Sequence, residues 1–506
     1  MKIQAIITAA CPEPLMPLLK RIEASAIGSR LAKGAFWSLA GAGLSRGLAL
    51  LASILVARML GKTTFGQLGM IQSTVGMFGV LAGFGLGLTA TKHVAQFRRS
   101  DPMRAGRIIA LSSMVALVTG GLMAVALFIL SPWLAEHTLG QPNLSPLLRI
   151  SAVMLFFSAL NGSQTGSLSG FEAFKSIARV NLQAGLLAFP MLLCGAYFAG
   201  LAGAVWAMAI NLAVNWLLNH LALRKESARC GVPLAFESCT RELPILWRFS
   251  IPAVLSGALV GPVNWACCAM LVNQRGGYGE LGVYNAILCV KQVPEMLLAM
   301  LMAPLLPMLS ESFSRRDSQS YNKTLRYAFV LSVCVVVPIS LIQAAVPALT
   351  LLPYGQGFQG HAGTVQWLML HAVLVGLFQP FGSMLASMNR MWLGLAYNLS
   401  WGAAFAGLTF LLAPRYGGAG LAAAMAIATA ATSLPCVLYL YLREKTFVWQ
   451  IPGRPIVAAV LLSFLLCMAA GIYLAPLPAA SIGAMAAIGL LVLSARLARP
   501  GSPSHI

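Results

Sequence analysis

Long apolar segments alternate with short polar gaps along almost the whole chain. Fourteen of these segments are long enough to cross a bilayer as a helix, which takes about 20 residues. They run approximately over residues 34–58, 65–91, 106–130, 144–169, 177–199, 200–222, 243–272, 282–306, 324–350, 361–387, 391–413, 418–442, 453–476 and 478–496. Because a membrane barrel would show short alternating segments instead, the pattern predicts an all-α polytopic membrane protein with about 14 transmembrane helices.

The gaps between the spans carry their basic residues on one side of the membrane. With the N-terminus in the cytoplasm, 27 of the 34 Lys and Arg residues fall on cytoplasmic segments, and 5 fall at the opposite side. The remaining two, Arg46 and Lys291, lie deep within spans. Since positively charged loops stay in the cytoplasm, the pattern predicts that both termini are cytoplasmic.

Composition supports the membrane class and argues against nucleic acid as a partner. Only 9% of the residues are charged, against about 25% in soluble proteins. The net charge of +21 is spread over short loops and does not form one basic face. The loop charges therefore set topology, and lipid surrounds most of the chain.

The two halves of the chain resemble each other. Phe65–Gly69 begins the second span, and the similar run Tyr278–Gly282 begins the eighth span 213 residues later. Gly203–Ile210 matches Gly420–Ile427 at a spacing of 217 residues. Each half holds six spans, and an even number returns the chain to the same side of the membrane. The halves should therefore be related by a two-fold axis along the membrane normal, as in parallel-repeat transporters.

This repeat divides the chain into lobes and connecting segments. Two helices remain outside the repeat at the C-terminal end. The predicted parts are a cytoplasmic tail (1–33), an N-terminal six-helix lobe (34–222), a cytoplasmic inter-lobe loop (223–242), a C-terminal six-helix lobe (243–445), and two additional helices with a cytoplasmic tail (446–506).

Two spans carry ionisable side chains far from their ends. Arg46 lies roughly 12 residues into the first span, about 18 Å from its end. A charge at this depth costs at least a few kcal/mol in lipid, so Arg46 should face the bundle interior or a wet cavity. Lys291 and Glu295 lie one turn apart on one face of the eighth span. They either form a structural ion pair, or Lys291 projects into a central cavity to bind an anion while Glu295 orients it or carries a proton.

The remaining polar groups do not form a catalytic set. The thirteen acidic residues lie mostly in loops, and none of the ten cysteines belongs to a CxxC motif or has a His at ligand spacing. We therefore expect no enzyme activity, disulfide, metal site or cofactor. The amides of Gln72, Asn264 and Gln292 fall within spans, where they either bond to a neighbouring helix or line a pore.

The order and spacing of three motifs resemble a known family. Leu55–Gly61 followed by Phe65–Gly69 resembles the first two helices of polysaccharide-type transporters, and Tyr278–Tyr284 resembles the start of their eighth helix. These transporters are the oligosaccharide flippases, including O-antigen flippases, of the multidrug/oligosaccharidyl-lipid/polysaccharide exporter superfamily. The resemblance covers the chain through residue 445.

The resemblance implies a bacterial inner-membrane flippase that works by alternating access. Its first, second, seventh and eighth helices would line a central cavity between two lobes. Its substrate would be a polyprenyl-diphosphate-linked oligosaccharide for O-antigen or exopolysaccharide synthesis, and membrane lipid would surround it. A polysaccharide polymerase or assembly protein is a further partner that the sequence leaves open.

The resemblance also suggests roles for the polar residues of the spans. Arg46 and Lys291 would bind the diphosphate, and Glu295 would hold Lys291 or take up a proton. The polar groups of the cavity would be Gln72, Asn264 and Gln292. Many relatives carry an Asp where this chain has Asn264, so we do not expect that position to couple transport to a cation.

Two other functions remain open from the sequence. A drug/cation antiporter of the same superfamily should have an acidic cavity, whereas the deep charges here are two basic residues and one acidic residue. That balance favours an anionic substrate. A non-transporting scaffold of a polysaccharide assembly complex would keep its function when the deep charges are removed, as long as it folds.

Overall fold

The computed structural model describes residues 26–83, 85–233, 239–243, 259–302, 305–388, 390–443 and 453–498. Every regular element in these ranges is helical. The predicted all-α fold is therefore confirmed, and five long helices account for the described N-terminal half. These are α1 (Ala26–Gly83), α2 (Leu86–Phe97), α3 (Pro102–Trp133), α4 (Ser145–Gly170) and α5 (Phe174–Arg229).

Nine further helices follow in the second half of the chain. They are α6 (Val260–Val272), α7 (Gly277–Met302), α8 (Leu305–Ser314), α9 (Ser318–Ala345), α10 (Pro347–Leu351), α11 (Ala362–Ser387), α12 (Met391–Arg443), α13 (Gly453–Tyr473) and α14 (Pro476–Ala498). The predicted seventh span began at residue 243, but residues 244–258 lie outside the described ranges, so only its second part is seen as α6.

Three of the helices are too long to cross a membrane once. With 56 residues, α5 is about 84 Å long, more than twice the ~30 Å core of a bilayer. It bends at Gly200, as α1 bends at Gly61 and α12 at Gly417. Within the described ranges, nine helices are long and apolar enough to span, and two shorter apolar helices join them. With the three bent helices crossing twice, these account for the fourteen predicted crossings.

The bends in α5 and α12 show the internal repeat in the backbone. Gly200 and Gly417, 217 residues apart, both have φ 55° and ψ −131°. A left-handed φ of this kind is open to glycine because it has no Cβ. Beside each bend a second glycine meets a backbone carbonyl: Gly203 lies against Gly195, and Gly420 lies against Leu412. The predicted parallel repeat is therefore confirmed in local geometry.

The helices pack as two lobes with a narrow line of contact. In the first lobe α1 packs against α4 and α5, and α3 packs against α4. In the second lobe α11 packs against α7, α9 and α12, while α13 and α14 cover α9. The lobes meet mainly where α1 contacts α6 and α7. Any site between the lobes therefore lies along these three helices.

Candidate functional site

Glycines bring α1 and α7 into backbone contact on one side of the lobe interface. We call this the outer side, because the sequence places the bend of α1 at Gly61 opposite the cytoplasm. A Cβ on Gly66 would meet the carbonyl of Tyr278, and a Cβ on Gly282 would meet the carbonyl of Lys62. Small residues permit such close approach of membrane helices. The two repeated motifs of the sequence, Phe65–Gly69 and Tyr278–Gly282, therefore pack against each other.

Two hydrogen bonds join the lobes at the same outer side. The Tyr278 hydroxyl donates to the carbonyl of Leu139 at 2.9 Å. The Asn273 amide donates to the carbonyl of Thr138 at 2.7 Å. Both acceptors lie at the end of the π-helical turn that continues α3. Together with the glycine contact, these bonds close the outer side of the interface.

The contact between the lobes continues to the middle of the helices. The Trp265 indole on α6 donates to the Thr74 hydroxyl on α1 at 3.0 Å. On the other face of the interface, the Ser53 hydroxyl of α1 donates to the Cys289 sulfur of α7 at 3.4 Å. The contacts that join α1 to α7 thus extend from the outer end to the level of Cys289.

A cleft begins inward of Ser53 and Cys289. Arg46 lies seven residues, or about two turns, before Ser53, so both point from the same face of α1. Its side chain is exposed, and its charge acts on Cys289 across the interface. On the opposite wall Gln292 is exposed one turn after Cys289. The structure therefore places a free guanidinium at the deep end of an inward-facing cleft.

Lys291 does not line this cleft. Two positions after Cys289, it lies about 200° around α7 and points into the second lobe. Its ammonium is 2.8 Å from a Glu295 carboxylate oxygen, and the two side chains are 4% and 21% exposed. This placement corresponds to the ion-pair alternative, since a buried ammonium is out of reach of a ligand in the cleft in this conformation.

The other two predicted cavity amides are not brought together with Arg46. The Asn264 side chain donates to the carbonyl of Val260 at 2.8 Å, within its own helix. The exposed Gln72 amide donates to the Met208 sulfur of α5 at 3.3 Å. Of the three amides, Gln292 is therefore the one that the described geometry places at the cleft.

His371 on α11 is a residue that the sequence reasoning missed. It is buried beside Lys291, whose charge acts on it, and its Nδ1 atom has no hydrogen-bond partner. The available signal was an ionisable side chain near the middle of an apolar span. Its association with Lys291 was not readable, because the two residues are 80 positions apart and meet only when α7 packs against α11.

A second ionic group lies at the outer end of the same lobe. Glu280 accepts a hydrogen bond from the backbone of Gly418 at 3.0 Å and lies 3.3 Å from the His361 ring. Hydrogen bonding to Glu280 raises the pKa of His361, while partial burial and Lys62 oppose that shift. These groups tie the start of α7 to the bend of α12 and stand close to Lys62 of the first lobe.

Solved structures share the overall fold at low sequence identity. The lipid II flippase MurJ, in an inward closed conformation, aligns with a TM-score of 0.65 and 14% identity over 91% of this chain and 98% of its own. An inward-facing multidrug resistance MATE family transporter aligns with a TM-score of 0.61 and 16% identity over 85% and 99% of the two chains. These likenesses establish the fold.

Sequence relatives point to polysaccharide export. The lipid III flippase of Escherichia coli K12 is 22% identical over 302 residues, covering 59% of this chain and 71% of the relative. The EPS I polysaccharide export inner membrane protein EpsE of Ralstonia nicotianae is 22% identical over 433 residues, covering 82% and 93%. Residues 31–313, more than half of the chain, match the family described as polysaccharide biosynthesis protein. The chain therefore belongs to the polysaccharide biosynthesis protein family.

Proposed function

We propose that this protein is a flippase that moves polyprenyl-diphosphate-linked oligosaccharides across the bacterial inner membrane by alternating access, for O-antigen or exopolysaccharide synthesis. One observation carries the proposal: Arg46 is exposed at the deep end of a cleft whose outer side is closed. The relatives named lipid III flippase and polysaccharide export inner membrane protein support the same substrate class. In this orientation both termini are cytoplasmic, and the cleft receives substrate from the inner leaflet.

The chemistry of Arg46 suits a diphosphate head group. A guanidinium presents a planar fork of donors that can bind phosphate oxygens in pairs. Within a cleft walled by apolar helices, such a charged contact is stronger than in water. Gln292 offers a neutral donor and acceptor from the opposite wall, suited to a phosphate or a sugar hydroxyl. Lys291 stays paired with Glu295 in the inward-facing state, so we assign the first contact to Arg46.

The geometry disfavours a drug/cation antiporter. The cation Arg46 is exposed at the cleft, whereas Glu295 has Lys291 at 2.8 Å. An exposed guanidinium repels a cationic drug and attracts an anion. The likeness to multidrug transporters concerns the fold, which does not fix the substrate.

Glycan export in a bacterial strain that lacks its own flippase tests the proposal. The intact chain should restore export of lipid-linked glycan, and Arg46→Ala should reduce it roughly tenfold or more, the cost of losing a charged hydrogen bond. Arg46→Lys should retain part of the activity, because it keeps the charge but loses the fork. Arg224→Ala, which removes an exposed arginine near the end of α5, serves as the matched control.

The outcomes separate the alternatives when the variants are compared at equal membrane levels. Normal export by Arg46→Ala would refute the head-group role of Arg46 but keep the flippase. Failure of the intact chain to restore export of several glycan types would favour the antiporter or the scaffold. A scaffold also predicts that Arg46→Ala behaves like Arg224→Ala.

A further inference from the structure

Three ionisable side chains meet inside the second lobe, away from the cleft surface. Lys291 is 3% exposed, His371 is 6% exposed, and the Glu295 side chain keeps 21% exposure. We refer to Lys291, Glu295 and His371 as the C-lobe ionic cluster. The proposed contact between Arg46 and the head group does not use any of them.

The surroundings of this cluster are apolar. Residues 328–345 of α9 and residues 397–414 and 418–435 of α12 contain no Asp, Glu, Lys, Arg or His. Those helices pack against α11, so Lys291 and Glu295 on α7 are the charged groups that face His371 at this depth. Ionisable side chains within a membrane lobe are costly, and where they occur they commonly serve ion or proton movement.

The composition of the cluster leaves a place for one proton. Lys291 and Glu295 neutralise each other at 2.8 Å. A purely structural pair would be complete without a third group. His371 adds a buried ring nitrogen, Nδ1, with no hydrogen-bond partner. A proton placed there converts the imidazole to its cation, so that one carboxylate then faces two cations.

The cluster lies directly behind the wall of the cleft. Gln292 is exposed to the cleft, whereas its neighbour Lys291 points into the lobe, so α7 alone separates the two sides. One helix thickness is about 10 Å. At that separation an anion in the cleft raises the proton affinity of the cluster by roughly tenfold per unit charge, for an effective dielectric constant near 20.

From this arrangement we infer that the C-lobe ionic cluster is a proton-binding site linked to the cleft: entry of the anionic head group is accompanied by proton uptake at Nδ1 of His371. The inference rests on the proposed function. The substrate then crosses with part of its charge neutralised, which lowers the cost of carrying a diphosphate through a low-dielectric space. Binding linkage is reciprocal, so protonation also strengthens head-group binding.

Calorimetric binding of farnesyl diphosphate to the purified full chain in detergent tests this site. Titrations in two buffers of different ionisation enthalpy, near pH 8 where the diphosphate is ionised, give the number of protons taken up per ligand. The intact protein should take up a measurable fraction of one proton. His371→Gln should bind the ligand but lose that uptake, whereas His361→Gln, which changes a histidine at the outer end of the same lobe, should retain it.

The results distinguish this site from the proposed function. Equal proton uptake by the intact protein and His371→Gln would overturn the linkage while leaving the head-group site in place. Absence of binding to the intact chain, or binding unchanged in Arg46→Ala, would overturn the proposed site and the linkage with it. If His371→Gln does not fold, the intact protein decides: its affinity should weaken as the pH rises from about 7 to 9, and a flat or rising affinity would overturn the linkage.

Discussion

The two repeats share their backbone bends but differ in the charges they enclose. Gly200 and Gly417 have the same φ of 55° and ψ of −131°. At the 213-residue offset of the paired motifs, however, Lys291 and Glu295 correspond to Phe78 and Ala82, both buried and apolar. The same framework thus holds a neutralised ionic cluster in one lobe and an apolar core in the other.

The reverse difference appears at the cleft. Arg46 has no acidic residue on its own helix between Ala26 and Gly83, and at the same offset its counterpart is Leu259. The first lobe therefore offers an accessible cation, and the second keeps its cation buried and paired. A repeated fold supplies two similar frames, and a few side chains then give each frame its own electrostatic task. In our proposal the first lobe binds the head group and the second binds a proton.

Breaking the ion pair should separate the lobes most clearly. Lys291→Met leaves the Glu295 carboxylate without its partner and should lower the free energy of unfolding by about 3 kcal/mol, the low end for buried pairs because Glu295 keeps some exposure. Phe78→Met, the matched change in the first lobe, should cost less than about 1.5 kcal/mol. Thermal unfolding in detergent measures both. The double variant Lys291→Met/Glu295→Leu should recover most of the loss; equal instability of the single and double variants would contradict the pairing argument.

The two bends offer a finer comparison. Gly200→Ala and Gly417→Ala each force a Cβ onto a left-handed backbone, at a cost of roughly 1–3 kcal/mol. Gly417→Ala should be the more destabilising, because its Cβ would also lie 3.2 Å from the Glu280 carboxylate. Thermal unfolding gives the order. Gly407→Ala, at a helical position of α12 with no neighbouring atom within 4 Å, is the control and should be neutral or slightly stabilising. Equal effects of the two bend variants would show that the Glu280 contact is unimportant.

The smallest expected effect is a pH dependence confined to the second lobe. The Glu280 contact raises the pKa of His361 above its unfolded value near 6.5. Its stabilisation is therefore fully present below about pH 6.5 and is lost as the pH rises through the raised pKa. With both side chains partly exposed, it should amount to less than about 1 kcal/mol. The unfolding temperature of the intact protein should fall more steeply with pH than that of His361→Gln; parallel slopes would contradict this role.

Much of the fold was readable because membrane insertion imposes simple rules on the sequence. The long apolar runs predicted the spans, and α5 bends at Ala199 and Gly200, where the fifth and sixth predicted spans join. The matching runs Gly203–Ile210 and Gly420–Ile427 predicted the repeat that the backbone angles show. Each of these signals is local, since a lipid-exposed helix must be apolar and must satisfy its own backbone hydrogen bonds.

The site was only partly readable, because it depends on how helices rotate about their axes. Sequence depth identified Arg46 and Lys291 as equally unusual, but it did not say which of them faces the cleft. The contact of Cys289 with Ser53 decides this, since it turns Lys291 to the opposite face of α7. Likewise, the paired glycines Gly66 and Gly282 suggested a repeat before they were seen to touch.

By itself the sequence determined the membrane class, the number of crossings, the internal repeat and the depth of the ionisable residues, because these follow from local hydropathy, charge and spacing. Only the tertiary structure decided that Arg46 is exposed while Lys291 is buried, and that His371 joins the pair from a distant helix. Those outcomes depend on contacts between segments far apart in the chain, whose rotation and register are set by packing.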